Sequence, residues 1–361
     1  MVAFAERRDI IMKIEHIVLD EKCNVTLDAY IQDTEGEYRS IIKRPAVIVI
    51  PGGGYMFCSD REAEPVAFKY IGAGYDAFIL RYSLNEDAIW PKPLLDYEQA
   101  YSYIEAHAKE WKINMDKIAV CGFSAGGHLA GAIATMAEHK PAAAILGYPV
   151  LAETVDEILP GAPYIYQKVD KDTAPCFIFG SCADSVVAVD NLIKMQQSLA
   201  DNKITFETHI YPFGPHGFST GEDSIQGKSA AFCERIPHWV EDSIGFLQDL
   251  LGKFKADQQP GDNKTGMEEP VCKSHIVGDG EAWLSADCSI GRVFGNPKAV
   301  EEIDEYIKVM KEYIEPFTPE QSFEDMMNLM RNMKLKDILM ERHVPVDISE
   351  LNKVLNKIPN I

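Results

Sequence analysis

The sequence predicts an α/β fold, a mostly parallel and doubly wound sheet, followed by a small C-terminal helical module. Three observations predict it. Short apolar runs alternate with segments of helical period as far as residue 252, the order that βαβ units produce. Those runs are continuously apolar rather than alternating, which marks strands covered on both faces. Beyond a polar stretch rich in Gly, Pro and charge, the period is helical throughout.

Residues 13–18 and 25–31 read as antiparallel edge strands joined by the polar turn 20–24. Ala46-Val47-Ile48-Val49-Ile50 is the first central strand. It runs into Pro51-Gly52-Gly53-Gly54-Tyr55, where three glycines let backbone N–H groups point into space that side chains would otherwise fill. Ala63, Val66, Ala67 and Tyr70 recur at helical spacing over 62–70, and Gly72-Ala73-Gly74 ends that helix. Ala77-Phe78-Ile79-Leu80 is the next strand. A loop over 81–91 leads to a helix over 93–110, with Leu94, Leu95, Tyr101 and Ile104 inward. Lys117-Ile118-Ala119-Val120-Cys121 is a strand, 129–138 a helix, and Ala142-Ala143-Ala144-Ile145-Leu146 a strand. Residues 151–174 carry prolines and aromatics without a clear period, as a cap over a site does. Cys176-Phe177-Ile178-Phe179-Gly180 is a strand, 188–200 a helix and 206–211 the last strand. A helix over 230–251, with Trp239, Val240, Leu247 and Leu251 apolar, closes the domain.

The predicted organisation is therefore a main α/β domain over 1–252, a linker over 253–270 and a helical module over 271–361. In the module Val300, Ile303, Ile307, Met310 and Ile314 form one stripe, opened by Asn296-Pro297 as cap and first helical residue. Thr318-Pro319-Glu320-Gln321 has capping-box spacing before Phe323, Met326, Met327 and Met330. Asp347-Ile348-Ser349-Glu350 repeats it before Leu351, Val354, Leu355 and Ile358. Such short helices are not stable alone in water, so the stripes are expected to pack on the main domain or on a second copy, a possible homo-oligomer.

At 361 residues and 46% hydrophobic, the chain can bury a large core. Thirty-five Lys and Arg against 56 Asp and Glu give a net charge of −21, which repels phosphate backbones and anionic membrane surfaces. Nucleic-acid and membrane partners are disfavoured, and neutral or cationic small molecules fit better. The eight cysteines are scattered, with no C-x-x-C pair and no ligand-like His spacing, so they read as free thiols with no metal site. Glu6, Arg7, Arg8 and Asp9 stand where a secretory apolar core would be, and no run of 18 apolar residues occurs. A cytoplasmic location is the expectation, with Met12 as a second candidate start.

The chemistry is concentrated in Cys121-Gly122-Phe123-Ser124-Ala125-Gly126-Gly127-His128, a strand-to-helix turn of the form G-x-S-x-G. So sharp a turn needs positions 122 and 126 nearly free of side chain, and it lifts the serine hydroxyl above the sheet. The helix beyond aims its free N–H groups and positive dipole end at the same spot. A nucleophilic serine needs a base, and the base needs a carboxylate to fix its tautomer. Asp184 and His216 each lie just past the carboxyl end of a predicted strand, in the order serine, acid, histidine. Asp190 is the rival acid and reads as the surface of a helix start. His128 follows Ser124 too closely to be its base, and His209 alternates with Glu207 and Tyr211 in a structural pattern.

Pro51-Gly52-Gly53-Gly54-Tyr55, Arg61-Glu62-Ala63-Glu64-Pro65-Val66-Ala67, Gly122-Phe123-Ser124-Ala125-Gly126-Gly127-His128-Leu129 and Tyr148-Pro149-Val150 resemble the acetyl-esterase and acetylxylan-esterase branch of the α/β-hydrolase superfamily, over about residues 12–252. The resemblance implies the α/β-hydrolase fold and an oxyanion hole from the amides of Gly53, Gly54 and Ala125. It departs from the wider lipase-like pattern at Pro51, where a His often precedes the glycines; Pro51 has no N–H to give. The tail resembles a short module appended to some bacterial carbohydrate-active enzymes. Tyr55, Tyr82, Trp90, Phe213 and Phe218 are expected near the mouth, where sugars stack, with Cys58 and Cys182 in the same region. The expected function is a serine esterase that needs no cofactor and releases short acyl groups, above all acetyl, from sugars or oligosaccharides. A peptidase of the same fold and a non-catalytic binding protein are the alternatives. A capped site without a basic cluster suits a small acyl group on a neutral polyol.

Overall fold

Continuous apolar runs become strands whose residues alternate between two covered faces. The computed structural model describes residues 12–34, 38, 41–226, 233–253, 282–314 and 321–360. The chain divides into two units, Met1–Lys273 and Ser274–Ile361. In the first unit β1 (Met12–Asp20), β2 (Val25–Gln32), β3 (Arg44–Ile50), β4 (Asp76–Arg81), β5 (Ile113–Phe123), β6 (Ala143–Gly147), β7 (Cys176–Ser181) and β8 (Phe206–Tyr211) form one sheet in the order β1-β2-β4-β3-β5-β6-β7-β8. The β1–β2 and β2–β4 pairs are antiparallel and every other pair is parallel. This is the α/β-hydrolase fold.

Ile48, Ile50, Val120, Leu146 and Ile178 face one core, shared with α2 (Lys92–Trp111), α3 (Ser124–Met136) and α4 (Asp190–Asp201). Val47, Val49, Cys121, Phe123, Ile145, Phe177 and Phe179 face the other, shared with α1 (Glu64–Gly72) and α5 (Trp239–Leu251). That two-sided cover explains why the central strands read as solid apolar runs. β1 is an edge strand and leaves Ile14 and Val18 exposed. Three boundaries differ from expectation by more than two residues, and the first is β5, which begins at Ile113 rather than at Lys117. α3 begins on Ser124 itself rather than at 129, because the turn passes directly into helix. α5 begins at Trp239 after a 3-10 turn at Ile236–His238, and residues 227–232 lie outside the described ones.

The second unit contains α6 (Ile290–Gly295), α7 (Pro297–Glu302), α8 (Asp304–Tyr313), α9 (Phe323–Leu329), α10 (Leu335–Glu341) and α11 (Ile348–Leu355). The Asn296 side chain accepts from the Lys298 and Ala299 amides, and Asp347 from those of Ser349 and Glu350. The stripe over 300–314 is two helices that part at Ile303, not one. The capping box before α9 is made by Ser322 and Asp325, and residues 318–320 of the predicted one lie outside the described residues. The stripes turn on one another: Ile303, Ile307, Met310, Met326, Leu339, Leu351 and Leu355 are buried in one cluster within the unit. Apart from Lys253, the predicted linker over 253–270 also lies outside the described residues.

Asp76, at the start of β4, is fully buried. Its Oδ1 accepts the Gln32 N–H at 2.8 Å, while Oδ2 meets no donor among the described residues. Burial pushes its carboxyl up to about 7, partly offset by the Gln32 amide and the Arg44 charge. Below pH ~4 both folded and unfolded chains hold the proton. As pH rises through 7 the unfolded chain ionises first, so the fold loses up to roughly 4 kcal/mol that it held in acid. Asp76→Asn keeps the acceptor and removes the titration. Its urea midpoint should therefore gain on that of the wild type between pH 5 and pH 8; parallel pH dependence in the two proteins would contradict the burial of a lone carboxyl here.

Candidate active site

Strand register assembles this site. Ile50 pairs with Gly122, so the chain leaving β3 at Pro51 lies beside the turn leaving β5 at Ser124. Ser181 pairs with Tyr211, which sets the loops after β7 and β8 side by side, and the Cys182 amide donates to the Tyr211 carbonyl at 2.8 Å. Ser124 has φ +52°, a left-handed conformation uncommon for a residue with a side chain. The glycines around it make room. A Cβ at Gly126 would fall 2.2 Å from the Ile50 carbonyl oxygen, and one at Gly122 2.2 Å from that of Gly126.

The His216 Nδ1 lies 2.7 Å from Asp184 Oδ2, and its Nε2 lies 2.8 Å from Ser124 Oγ. An ionised carboxylate only accepts, so Nδ1 carries the hydrogen and Nε2 is left to accept from the serine hydroxyl. Asp184 is fixed in turn, because its Oδ1 accepts from the Val186 and Val187 amides at 2.8 and 2.9 Å. The chain of bonds can carry a proton away from Ser124 and return it. The rivals stand elsewhere. Asp190 is exposed as the first residue of α4, and His209 pairs with Glu207 at 2.7 Å on β8.

Ser124 and His216 border a cavity of about 360 Å³. Gly53 and Gly54 line it, and their amides donate to no acceptor among the described residues. Ala125, as second residue of α3, has no intrahelical acceptor for its amide either. Met56, Phe57, Val150, Ile158, Val186 and Val187 supply apolar wall, and Arg61, Glu62, Thr154 and Glu157 are polar. The segment 151–174 thus reaches the cavity with Thr154, Glu157 and Ile158, while Leu151, Val155, Leu159 and Ile165 anchor it in the core.

None of the five expected aromatics lines the cavity. Tyr55 is buried, and its hydroxyl donates to His128 Nδ1 at 2.7 Å. His128 Nε2 must then carry the hydrogen that goes to the Pro163 carbonyl at 3.0 Å, and burial pushes this imidazole down to about 4, so it stays neutral. Tyr82 is also buried and donates to the Pro51 carbonyl at 2.9 Å, so it braces the glycine loop from behind. Trp90 is half-buried with its ring 5.7 Å from His128, and Phe218 packs its ring 4.7 Å from Tyr148 in the core. Phe213 is exposed away from the lining. Proximity in sequence to a site loop did not reveal which way each ring turns: the loop needs its bulk beneath it, and the open side went to Met56 and Phe57. Cys58 and Cys182 do not line the cavity either, and burial pushes the Cys58 thiol up to about 11. Among the described residues no group of three or more His, Cys, Asp or Glu side chains is arranged to hold a metal ion.

Residues 27–141 match the BD-FAE family and residues 90–242 the dienelactone hydrolase family. An α/β hydrolase enzyme of known structure, from a Medee basin deep-sea metagenome library, is 40% identical with a TM-score of 0.62, over 66% of this chain and 97% of that one. Endo-1,4-β-xylanase B of Butyrivibrio fibrisolvens is 31% identical over 215 residues, 51% of this chain and 34% of that protein. An acetylxylan esterase of Xylanibacter ruminicola is 28% identical over 265 residues, 65% of this chain and 54% of that protein. The chain thus spans about half or less of the length of these two curated relatives. It belongs to the α/β-hydrolase family.

The glycine packing has a measurable consequence. Gly126→Ala forces a methyl against two carbonyl oxygens and should lower stability by at least about 1–3 kcal/mol in denaturant melts. Gly245→Ala in α5, where a Cβ meets nothing within 4 Å, should instead gain about 0.5–1 kcal/mol. Equal effects at the two positions would deny the close approach at Ser124.

Proposed function

We propose that the protein is a serine esterase that hydrolyses short-chain esters, above all acetyl esters of sugars or oligosaccharides. One observation carries this: a single imidazole, His216, hydrogen-bonds Ser124 and Asp184 at once, beside a cavity lined by Gly53 and Gly54. As Ser124 Oγ attacks the ester carbonyl, His216 Nε2 takes its proton, and Asp184 holds the tautomer and stabilises the imidazolium. The oxyanion accepts hydrogen bonds from the amides of Gly53, Gly54 and Ala125. Collapse expels the alcohol, protonated by His216 Nε2–H, and leaves an acyl group on Ser124. Water, deprotonated by His216, then attacks that ester and releases the acid.

The walls support this substrate class. A cavity of about 360 Å³ with Val150, Ile158, Val186 and Val187 beside the serine suits a small acyl group. Thr154, Glu157 and Arg61 can hydrogen-bond the hydroxyls of a polyol. The names of the two curated relatives, a xylanase and an acetylxylan esterase, support a carbohydrate ester.

Ser124→Ala, His216→Ala and Asp184→Asn should each lose at least about a hundredfold in kcat on an aryl acetate while their denaturant midpoints stay near wild type. Activity in Ser124→Ala at the wild-type level would remove the mechanism. Specificity constants on aryl esters should be highest for acetate and fall beyond butyrate, since each misfit methylene shifts discrimination by about 1–3 kcal/mol. An optimum at octanoate, or no acetate freed from acetylated xylo-oligosaccharides, would remove the sugar-ester assignment.

A further inference from the structure

Glu62 is the one acidic side chain of the cavity lining that is buried, being only 3% exposed, and the chemistry above gives it nothing to do. It lies in the 3-10 turn Asp60–Glu62 that follows the glycine loop. Its Oε2 accepts the N–H of Gly52, the residue directly before Gly53, at 2.8 Å. Its Oε1 accepts from the Tyr148 hydroxyl at 2.6 Å. The Tyr148 oxygen in turn accepts the Ser219 N–H at 3.0 Å, and the Ser219 hydroxyl donates to the carbonyl of Arg61, next to Glu62 in the chain. The bonds therefore close a ring through Glu62, Tyr148, Ser219 and Arg61. One side of that ring is the start of the glycine loop, and the other is the loop that carries His216.

Two further observations tie the ring to the reacting groups. The Tyr148 ring meets the His216 imidazole edge to face at 5.1 Å. A Cβ on Gly52 would fall 2.9 Å from Glu62 Oε2 and 2.9 Å from Ser124 Cβ, so only a glycine lets the carboxylate come this close behind the serine. Tyr148 and Ser219 also hold positive φ values, 34° and 48°, which surrounding bonds must maintain.

We propose that Glu62 is a positioning residue, a buried carboxylate that fixes the separation between the Gly53 and Gly54 amides and His216. A buried carboxylate costs several kcal/mol unless it is fully hydrogen-bonded, and an apolar group of similar shape would fill the space with less cost. What it adds is two strong directional bonds to two separate loops. Burial pushes its carboxyl above the usual range, opposed first by the Tyr148 hydroxyl, then by the Gly52 amide and the nearby His216 and Arg61. Glu62 makes no hydrogen bond to His216 itself, so it acts on the imidazole through Tyr148 and is no substitute for Asp184.

The inference rests on the esterase reading of the site, and the test separates the two. Ser124 is titrated with a fluorophosphonate in wild type, Glu62→Gln and Tyr148→Phe, and kcat and KM on an aryl acetate are expressed per titrated serine. Glu62→Gln keeps the shape and can still accept from Gly52, but it presents a donor where the Tyr148 hydroxyl needs an acceptor. Its kcat per titrated serine should fall about tenfold to a hundredfold, the range for one hydrogen bond to a charged group, with KM within about threefold. Tyr148→Phe should fall in the same direction by at least about threefold, and the double variant should lose less than the product of the two single effects, because both cut the Glu62–Tyr148 link. Fewer titratable serines with wild-type kcat per serine would make Glu62 merely structural and overturn the proposal. If Glu62→Gln does not fold, Tyr148→Phe decides, and an unchanged kcat there overturns it. A wild type that neither takes the label nor hydrolyses the ester would instead sink the esterase reading, and this proposal with it.

Discussion

The turn at Ser124 is pressed so closely against the end of β3 that positions 122 and 126 admit no side chain, a Cβ at Gly126 falling 2.2 Å from the Ile50 carbonyl. That contact sets the distance between the two chain exits on which the site is built. Because Ile50 is in register with Gly122, the glycine loop and the start of α3 leave the sheet side by side, and Gly53, Gly54 and Ser124 line one cavity. The tyrosines that follow β3 and β4 hold the arrangement from beneath, Tyr82 through the Pro51 carbonyl and Tyr55 through His128. Pro51, which gives no N–H, contributes its carbonyl as an anchor instead.

The hydrogen bonds around the site fix one tautomer for each of its two imidazoles. Asp184 is held by two amides and accepts from the imidazole, which leaves Nε2 to accept from Ser124. The second imidazole nearby, His128, is buried between a hydroxyl donor and a carbonyl acceptor and stays neutral, so it stiffens the glycine loop without competing for the proton. Buried hydrogen bonds add to apolar packing in holding the loops around this centre: Asn191 accepts from the Leu151 and Ala152 amides at 2.8 Å, and Trp239 donates to the Ser219 carbonyl at 2.9 Å.

What is legible in the sequence is what local chemistry dictates. Runs such as 46–50 and 176–180 are solid apolar because both faces are covered, and G-x-S-x-G can close only with glycine at 122 and 126. Asp184 and His216 stand out because they are polar residues at strand ends. Side-chain direction in a loop is not local. Tyr55, Tyr82 and Phe218 carry the right chemistry for a sugar face yet are buried, held by partners distant in the chain: His128, the Pro51 carbonyl and the Tyr148 ring. Glu62 was hidden for a related reason: its partners, Gly52, Tyr148 and, through Tyr148, Ser219, come from three separate segments. In the second unit, short stripes did not reveal that they cover one another, nor that the helix breaks at Ile303.

An acyl group carried by Ser124 is the central chemical claim, and it can be seen directly. The protein is mixed with an aryl acetate, quenched in acid within the first turnover, digested and mapped by mass spectrometry. One acetyl group on the peptide that contains Ser124, absent from His216→Ala under the same conditions, is the expected result. Turnover with no acetylated peptide, or acetyl found on another residue while Ser124 stays free, would contradict it.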